Sequence, residues 1–266
     1  MFQQWRNDAA LYLHPRRLVW ADNRSKKDYS GAVTLKIAEG ESDYWGCVRG
    51  LLELEARLAK KIKIIVSDAY VHYETIPYAN QVLTQTEVET LARHVLAKHY
   101  GVRSEAWYVC ITEPRPYQST VVGAIDSEWL AALVEACTIA NVAIESIQPR
   151  LLVAFEKHRD SISDSAAWFA CLDDNVLSAL HVDQGSCDGI RSMPVTSNPT
   201  VEFSRIRKLG ELAADNPITG PMYIESLILA EEERKALEES GGVVLLDQPI
   251  RPEDALECAI YAGVHP

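Results

Sequence analysis

One order of elements occurs twice in this chain, and it restricts the fold more than any single motif does. The stretch AAWFACLDDNVLSALHVDQGS, residues 166–186, reads as a strand, a tight Asp-Asp-Asn turn and a second strand. With a third run at 188–195, the periodicity predicts strands over 166–172, 175–182 and 188–195. A helix over about 200–214 opens after the Asn198-Pro199 breaker, with Val201, Ile206, Leu209 and Leu212 on one side. A strand at 221–226, a helix near 229–239 ended by Gly241-Gly242, the strand VVLLD and a helix from Pro252 complete the order βββαβαβα.

The first half begins the same way. AALYLH (9–14) and RLVWAD (17–22) are two strands joined at Pro15-Arg16, AVTLKIA is a third, a helix covers about 42–60, and IKIIVS is the next strand. An insertion follows: the strand AYVHYETI, a helix at about 85–100 with Val88, Leu91, Ala92, Val95 and Leu96 on one face, and the strands AWYVCIT and STVVGAI. A helix at about 127–140 rejoins the frame. Two such meanders, each followed by alternating helices and strands, imply two mixed sheets covered by helices and facing one another across a cleft. The expected divisions are a first lobe over 1–140, carrying a small α+β subdomain at about 68–125, and a second lobe over 141–266.

Composition excludes several classes. At 266 residues, 47% apolar and 24% charged, the chain can bury a substantial core. Its longest apolar run, WLAALVEACTIANVAI (129–144), is broken by Glu135 and Asn141 and falls short of the ~20 residues that span a bilayer. The N-terminus has no charged-then-apolar leader pattern, so the expected location is the cytoplasm. Six cysteines are scattered without a C-x-x-C pair and read as buried free thiols, and His94 and His99, five apart on a helix, read as surface residues rather than metal ligands. A net charge of −12 argues against nucleic acid as a partner. The charge is unevenly spread: residues 1–30 carry six bases against three acids, so this segment is +3 and the remainder −15. A solvated hairpin, an acidic partner or an anionic membrane surface are the readings open for that segment.

The element order, together with PRRLVWAD, SDAYVHYETIP, TEVETLARHVLAKHYG, VAIESIQPRLLVAF and ALECAIYAGV, resembles the actin-like (ribonuclease H-like) α/β fold. Within it the chain is similar to PilM-like type IV pilus assembly proteins and to the GspL-like cytoplasmic domain of type II secretion systems. In nucleotide-binding members the resemblance implies three anchors: two hairpins bearing Asp-x-Gly and a Gly-Gly after a late strand. All three differ here. The first hairpin is His14-Pro15-Arg16-Arg17, without Asp or Gly and with a proline that has no amide to donate. The second is Asp173-Asp174-Asn175, whose carboxylates would repel a triphosphate. At the third, Glu225 and Ser226 stand where Gly-Gly is expected. Arg16, Arg17, Asp173 and Asp174 therefore mark degenerate phosphate hairpins, and no cofactor, metal or catalytic residue is expected.

Asp183-x-Gly185-Ser186 reads as a β-turn and not as a phosphate motif. A nuclease pairing Asp173 with Glu225 lacks a third placed acid and a basic stripe. A serine hydrolase lacks G-x-S-x-G. The chief alternative is an intact actin-like ATPase. The resemblance implies instead a non-catalytic cytoplasmic scaffold, peripheral to the inner membrane. Its implied partners are the cytoplasmic tail of a single-span inner-membrane protein and the assembly ATPase, with membrane contact only through them. It also implies that the tail lies in a groove between the first lobe and the insertion near 68–125, where Tyr70, Tyr73 and Tyr78 supply rigid aromatic area for an extended peptide.

Overall fold

The structure is a computed structural model that describes residues 8–22, 33–38, 43–56, 59, 61–76, 83–112, 118–162, 166–173, 175–196, 198–213, 220–226, 229, 231–239 and 241–246. Tyr78, Asp174, the helix expected from Pro252 and the stretch ALECAIYAGV lie outside the described residues. The chain divides into two compact units. The described part of one lies within Met1–Ala69 and Glu128–Lys157, and that of the other within Tyr70–Ser127 and His158–Pro249.

The first unit is built on β1 (Asp8–His14), β2 (Arg17–Asp22), β3 (Val33–Lys36), β4 (Lys61–Val66) and β8 (Ala143–Pro149), in the order β3-β2-β1-β4-β8. The strands β5 to β7 belong to the other unit. β1 pairs antiparallel with β2 and parallel with β4, and β4 pairs parallel with β8. A strand with neighbours on both sides and covered on both faces reads as a continuous apolar run, which is why Ala9 to Leu13 and Leu18 to Ala21 are all buried. Helices α1 (Tyr44–Glu55), α3 (Ser127–Ile139) and α4 (Arg150–His158) bury Val48, Leu51 and Leu52, then Leu133, Ala136 and Cys137, then Leu151 and Ala154. Trp45 and Trp129, with ring centroids 5.3 Å apart, join α1 to α3.

The second unit repeats this topology with β9 (Ala166–Asp173), β10 (Val176–Asp183), β11 (Ser186–Pro194), β12 (Met222–Ser226) and β13 (Val243–Leu245), ordered β11-β10-β9-β12-β13. The match is position for position, because β9 again pairs antiparallel with the next strand and parallel with β12. One face of this sheet packs Trp168, Ala170, Leu172, Leu177, Ala179, Met222 and Ile224 against Phe203 and Ile206 of α5 (Pro199–Ala213) and Leu237 of α6 (Glu231–Glu239). Gln184 and Gly185 both have positive φ (48° and 79°), the signature of a type I′ turn, so the Asp-x-Gly-Ser string is the β10–β11 hairpin turn. Gly241 (φ 76°) and Gly242 (φ 72°) close α6.

The insertion interrupts the first half in sequence and in space falls in the second unit. It comprises β5 (His72–Ile76), α2 (Gln85–Tyr100), β6 (Trp107–Ile111) and β7 (Thr120–Asp126), with sheet order β5-β7-β6. α2 opens on a capping box in which Thr84 receives the Glu87 amide and Glu87 receives the Thr84 amide. Its Val88, Ala92 and Leu96 pack on Ile76, Trp107, Val122 and Ala124. β11 lies against β5 and β7, which ties the insertion to the repeated sheet.

Gly220 precedes β12 at φ +117°, and a Cβ there would collide with the Ala166 backbone carbonyl. This close approach lets the Trp168 amide reach the Pro221 carbonyl at 2.9 Å and start the β9–β12 pairing. Gly220→Ala is therefore expected to destabilise the chain by about 2–3 kcal/mol, read as a lowered chemical-denaturation midpoint at unchanged m. An unchanged midpoint would show that the approach is not required.

Candidate functional site

Ligands of open α/β sheets bind beyond the carboxyl ends of the parallel strands, so those ends are where a site must be sought. In the first unit they carry His14 at the end of β1, Ser67 and Asp68 after β4, and Arg150 after β8, all four buried. The Ser67 amide donates to the Leu13 carbonyl at 2.8 Å, which sets β4's end beside β1's. Both oxygens of Asp68 accept from the Leu151 amide, at 3.3 and 3.1 Å. This places a carboxylate on the first turn of α4, where exposed amides and the helix dipole favour negative charge. The Asp of SDAYV thus holds a helix rather than a ligand.

The first hairpin turns through Pro15 and Arg16, with His14 and Arg17 paired across it. Pro15 offers no amide, and the Arg16 amide is taken by His14 Nδ1 at 3.1 Å. The backbone donors that would wrap a phosphate are either missing or used. Arg16 is exposed and Arg17 half-buried.

In the second unit the corresponding end holds Asp173 at the close of β9 and Glu225 on β12, on the sheet face opposite the α5–α6 core. Asp173 and Glu225 are both buried. Glu225 accepts from Cys171 Sγ (3.7 Å) through Oε2, and His158 Nε2 stands 3.5 Å from Oε1. A buried carboxylate needs such partners, since desolvating it alone costs several kcal/mol. The Asn175 carbonyl is also committed, accepting from the Val195 amide at 2.7 Å. Among the described residues no group of three or more His, Cys, Asp or Glu side chains could hold a metal ion.

The three tyrosines expected to grip a peptide are not equivalent. Tyr73 is 4% exposed, whereas Tyr70 is half-buried in the short 3₁₀ turn Asp68–Tyr70 before β5. Strand alternation explains the difference. His72, Glu74 and Ile76 face α2, and Tyr73 points to the opposite face of the insertion's sheet.

That α2-facing side contains a cluster invisible in the sequence. His72 stacks on Trp107 with centroids 4.0 Å apart and planes 6° from parallel, and Tyr100 packs against both rings at 4.9 and 5.2 Å. His99 is exposed, as its spacing implied, and places Nδ1 2.6 Å from Glu74 Oε1. Helix α2 and strand β5 are thus latched by a His99–Glu74 hydrogen bond and an aromatic stack side by side. Burial lowers the His72 pKa from the usual imidazole value, opposed by the negative charge of Asp126, and burial followed by the Glu74 charge raises that of Tyr100.

No protein-family model matches the sequence, and no curated protein matches it. Solved structures do match along nearly the whole chain. The PilM–PilN type IV pilus biogenesis complex has a chain that is 12% identical, with a TM-score of 0.69, covering 98% of this chain and 99% of that one. The cytoplasmic domain of EpsL, an inner-membrane component of the Vibrio cholerae type II secretion system, is 9% identical with a TM-score of 0.60, covering 98% and 95%. A Bacteroides thetaiotaomicron protein with an actin-like ATPase fold and unknown function is 11% identical with a TM-score of 0.60, covering 95% and 96%. At such identities the fold is what is shared: the chain has the actin-like ATPase fold, as its element order implied.

Because His72 binds its proton less readily when folded, the folded state is disfavoured as pH falls below about 6.5, the ordinary imidazole value. The wild-type denaturation midpoint should drop between pH 7.5 and 5.5 by more than that of His72→Phe, which keeps the stack and cannot titrate. Equal drops in the two proteins would refute this.

Proposed function

We propose that this actin-like chain is a non-catalytic scaffold in an assembly platform of the type IV pilus or type II secretion kind. It holds the cytoplasmic tail of an inner-membrane partner, the assembly ATPase, or both. One observation carries the non-catalytic reading: the strand ends where relatives of this fold bind nucleotide are occupied by the protein's own groups. The Arg16 amide is used by His14, and a buried Glu225 accepts from Cys171 Sγ with His158 Nε2 3.5 Å away. The platform reading is supported by similarity over 98% of the chain to structures titled as a PilM–PilN complex and as an inner-membrane secretion component's cytoplasmic domain. No helix among the described residues is long and apolar enough to cross a membrane, in keeping with recruitment through a partner.

For the partner tail, Tyr70 is the member of the expected set that has surface to offer among the described residues. Tyr73 is buried, on the sheet face away from α2. Tyr70→Ala should weaken capture of the tail about tenfold or more with the melting temperature nearly unchanged. Tyr73→Ala should cost about 3 kcal/mol of stability, because it empties a buried aromatic site. Full capture by Tyr70→Ala would place the tail elsewhere.

Calorimetric titration with Mg-ATP should give no binding at physiological concentrations. Micromolar affinity would overturn the non-catalytic reading and restore the actin-like ATPase.

A further inference from the structure

A second interaction surface lies at the carboxyl end of α2, and it does not depend on the reading above. From Thr90 to Ser104 the chain carries Arg93, His94, Lys98, His99 and Arg103 and no acid, in a protein whose net charge is −12. His99 is engaged by Glu74. Arg93, His94, Lys98 and Arg103 are all exposed, and none of these four forms an ion pair among the described residues. The helix dipole accounts for Lys98 in the last turn. It does not account for Arg93, more than a turn earlier, or for Arg103, which lies past the helix end.

The fold brings a further cation to the same place. Burial and then the Glu74 charge raise the Tyr100 pKa, and the Arg191 charge opposes them, which sets this exposed guanidinium of β11 near the Tyr100 ring. Beside these cations the chain projects an apolar side chain. Gly101 takes φ 69°, the 3₁₀ turn Gly101–Ala106 follows, and Val102 on that turn is 79% exposed. A Cβ on Gly101 would meet nothing within 4 Å, so the turn stands clear of the described residues. The acids nearest this end are Glu89 on α2, Glu105 after Arg103, Asp126 at the close of β7 and the engaged Glu74. An acidic protein and an anionic bilayer would both complement such a patch. A protein interface needs an apolar core of many packed side chains, whereas the headgroup boundary of a bilayer admits a single projecting one ringed by cations. Val102, on a projecting turn rather than in a groove, fits the bilayer.

We propose that the carboxyl end of α2 and the turn after it dock on an anionic phospholipid surface. Val102 enters the headgroup boundary, and Arg93, Lys98, Arg103 and Arg191 lie against lipid phosphates around it, each contributing about fivefold in partitioning. Contact of this strength is reversible and adds to the hold that a membrane-bound partner would give.

Co-sedimentation of the full chain with sucrose-loaded vesicles tests this, comparing pure phosphatidylglycerol with pure phosphatidylcholine. Binding to phosphatidylglycerol alone is expected, weakening as salt is raised. Lys98→Glu/Arg103→Glu changes two exposed side chains, so its circular dichroism should match wild type, and it should bind at least tenfold more weakly. Arg191→Glu, on a separate element, should weaken binding several-fold. Val102→Ser, which leaves every charge in place, should do the same. Lys208→Glu/Lys235→Glu alters the net charge equally at exposed positions of α5 and α6 and should bind like wild type. The proposal is overturned if neither vesicle binds, if both bind equally, or if Lys98→Glu/Arg103→Glu or Val102→Ser binds like wild type. It is equally overturned if the α5–α6 variant loses as much as Lys98→Glu/Arg103→Glu, which would mean bulk charge. Capture on immobilised poly-L-glutamate without capture by phosphatidylglycerol would overturn it too and assign the patch to an acidic protein.

Discussion

In each repeat one strand pairs antiparallel on one side and parallel on the other, and the rest of the structure follows from that junction. β1 and β9 hold this position. A strand so placed has both edges in the ladder, and its side chains are buried, so it must be apolar almost throughout. Its antiparallel partner can follow after a two-residue turn, whereas its parallel partner needs a crossover long enough for a helix. Hairpin and crossover therefore arise at the same strand.

The molecule has filled these ends with internally committed groups. In the first unit a buried aspartate receives the opening amide of α4, so the negative charge is neutralised locally by a helix terminus. In the second, a buried glutamate lies between a thiol and an imidazole. Both arrangements offset the cost of desolvating a carboxylate, and neither leaves a concave row of amides for an anion. A hairpin without glycine lacks the backbone freedom that would curl a row of amides toward an anion.

The same logic separates the three tyrosines and the two histidines of the insertion. Tyr70 and Tyr73 look interchangeable as text. Once β5 is a strand beneath α2, the period of two sends His72, Glu74 and Ile76 toward the helix and Tyr73 into the opposite, covered face. His99 acquires its partner 25 residues away in sequence because α2 returns along β5. No local pattern encodes that meeting. β8 and α4 were also absent from the periodic reading. AIESIQP alternates weakly on an edge strand, exposed or half-buried throughout, and RLLVAFEKH is barely two turns long.

What the sequence determined by itself was whatever depends on short range: the apolar runs of β1, β2, β9 and β10, the Thr84–Glu87 start of α2, the Gln184-Gly185 turn, the glycine stop of α6, and from their order the actin-like arrangement. The absence of glycine from the β1–β2 and β9–β10 turns was equally plain. The tertiary structure alone decided which side chains meet. The latch of His72, Trp107 and Tyr100 beside Glu74 and His99, the burial of Glu225 against His158, and the approach of Arg191 to Tyr100 each join residues from separate elements. Periodicity reports which face of an element is apolar. It carries no information on which neighbour that face will find, because strand register and crossover path set the neighbour and every residue in between contributes to both.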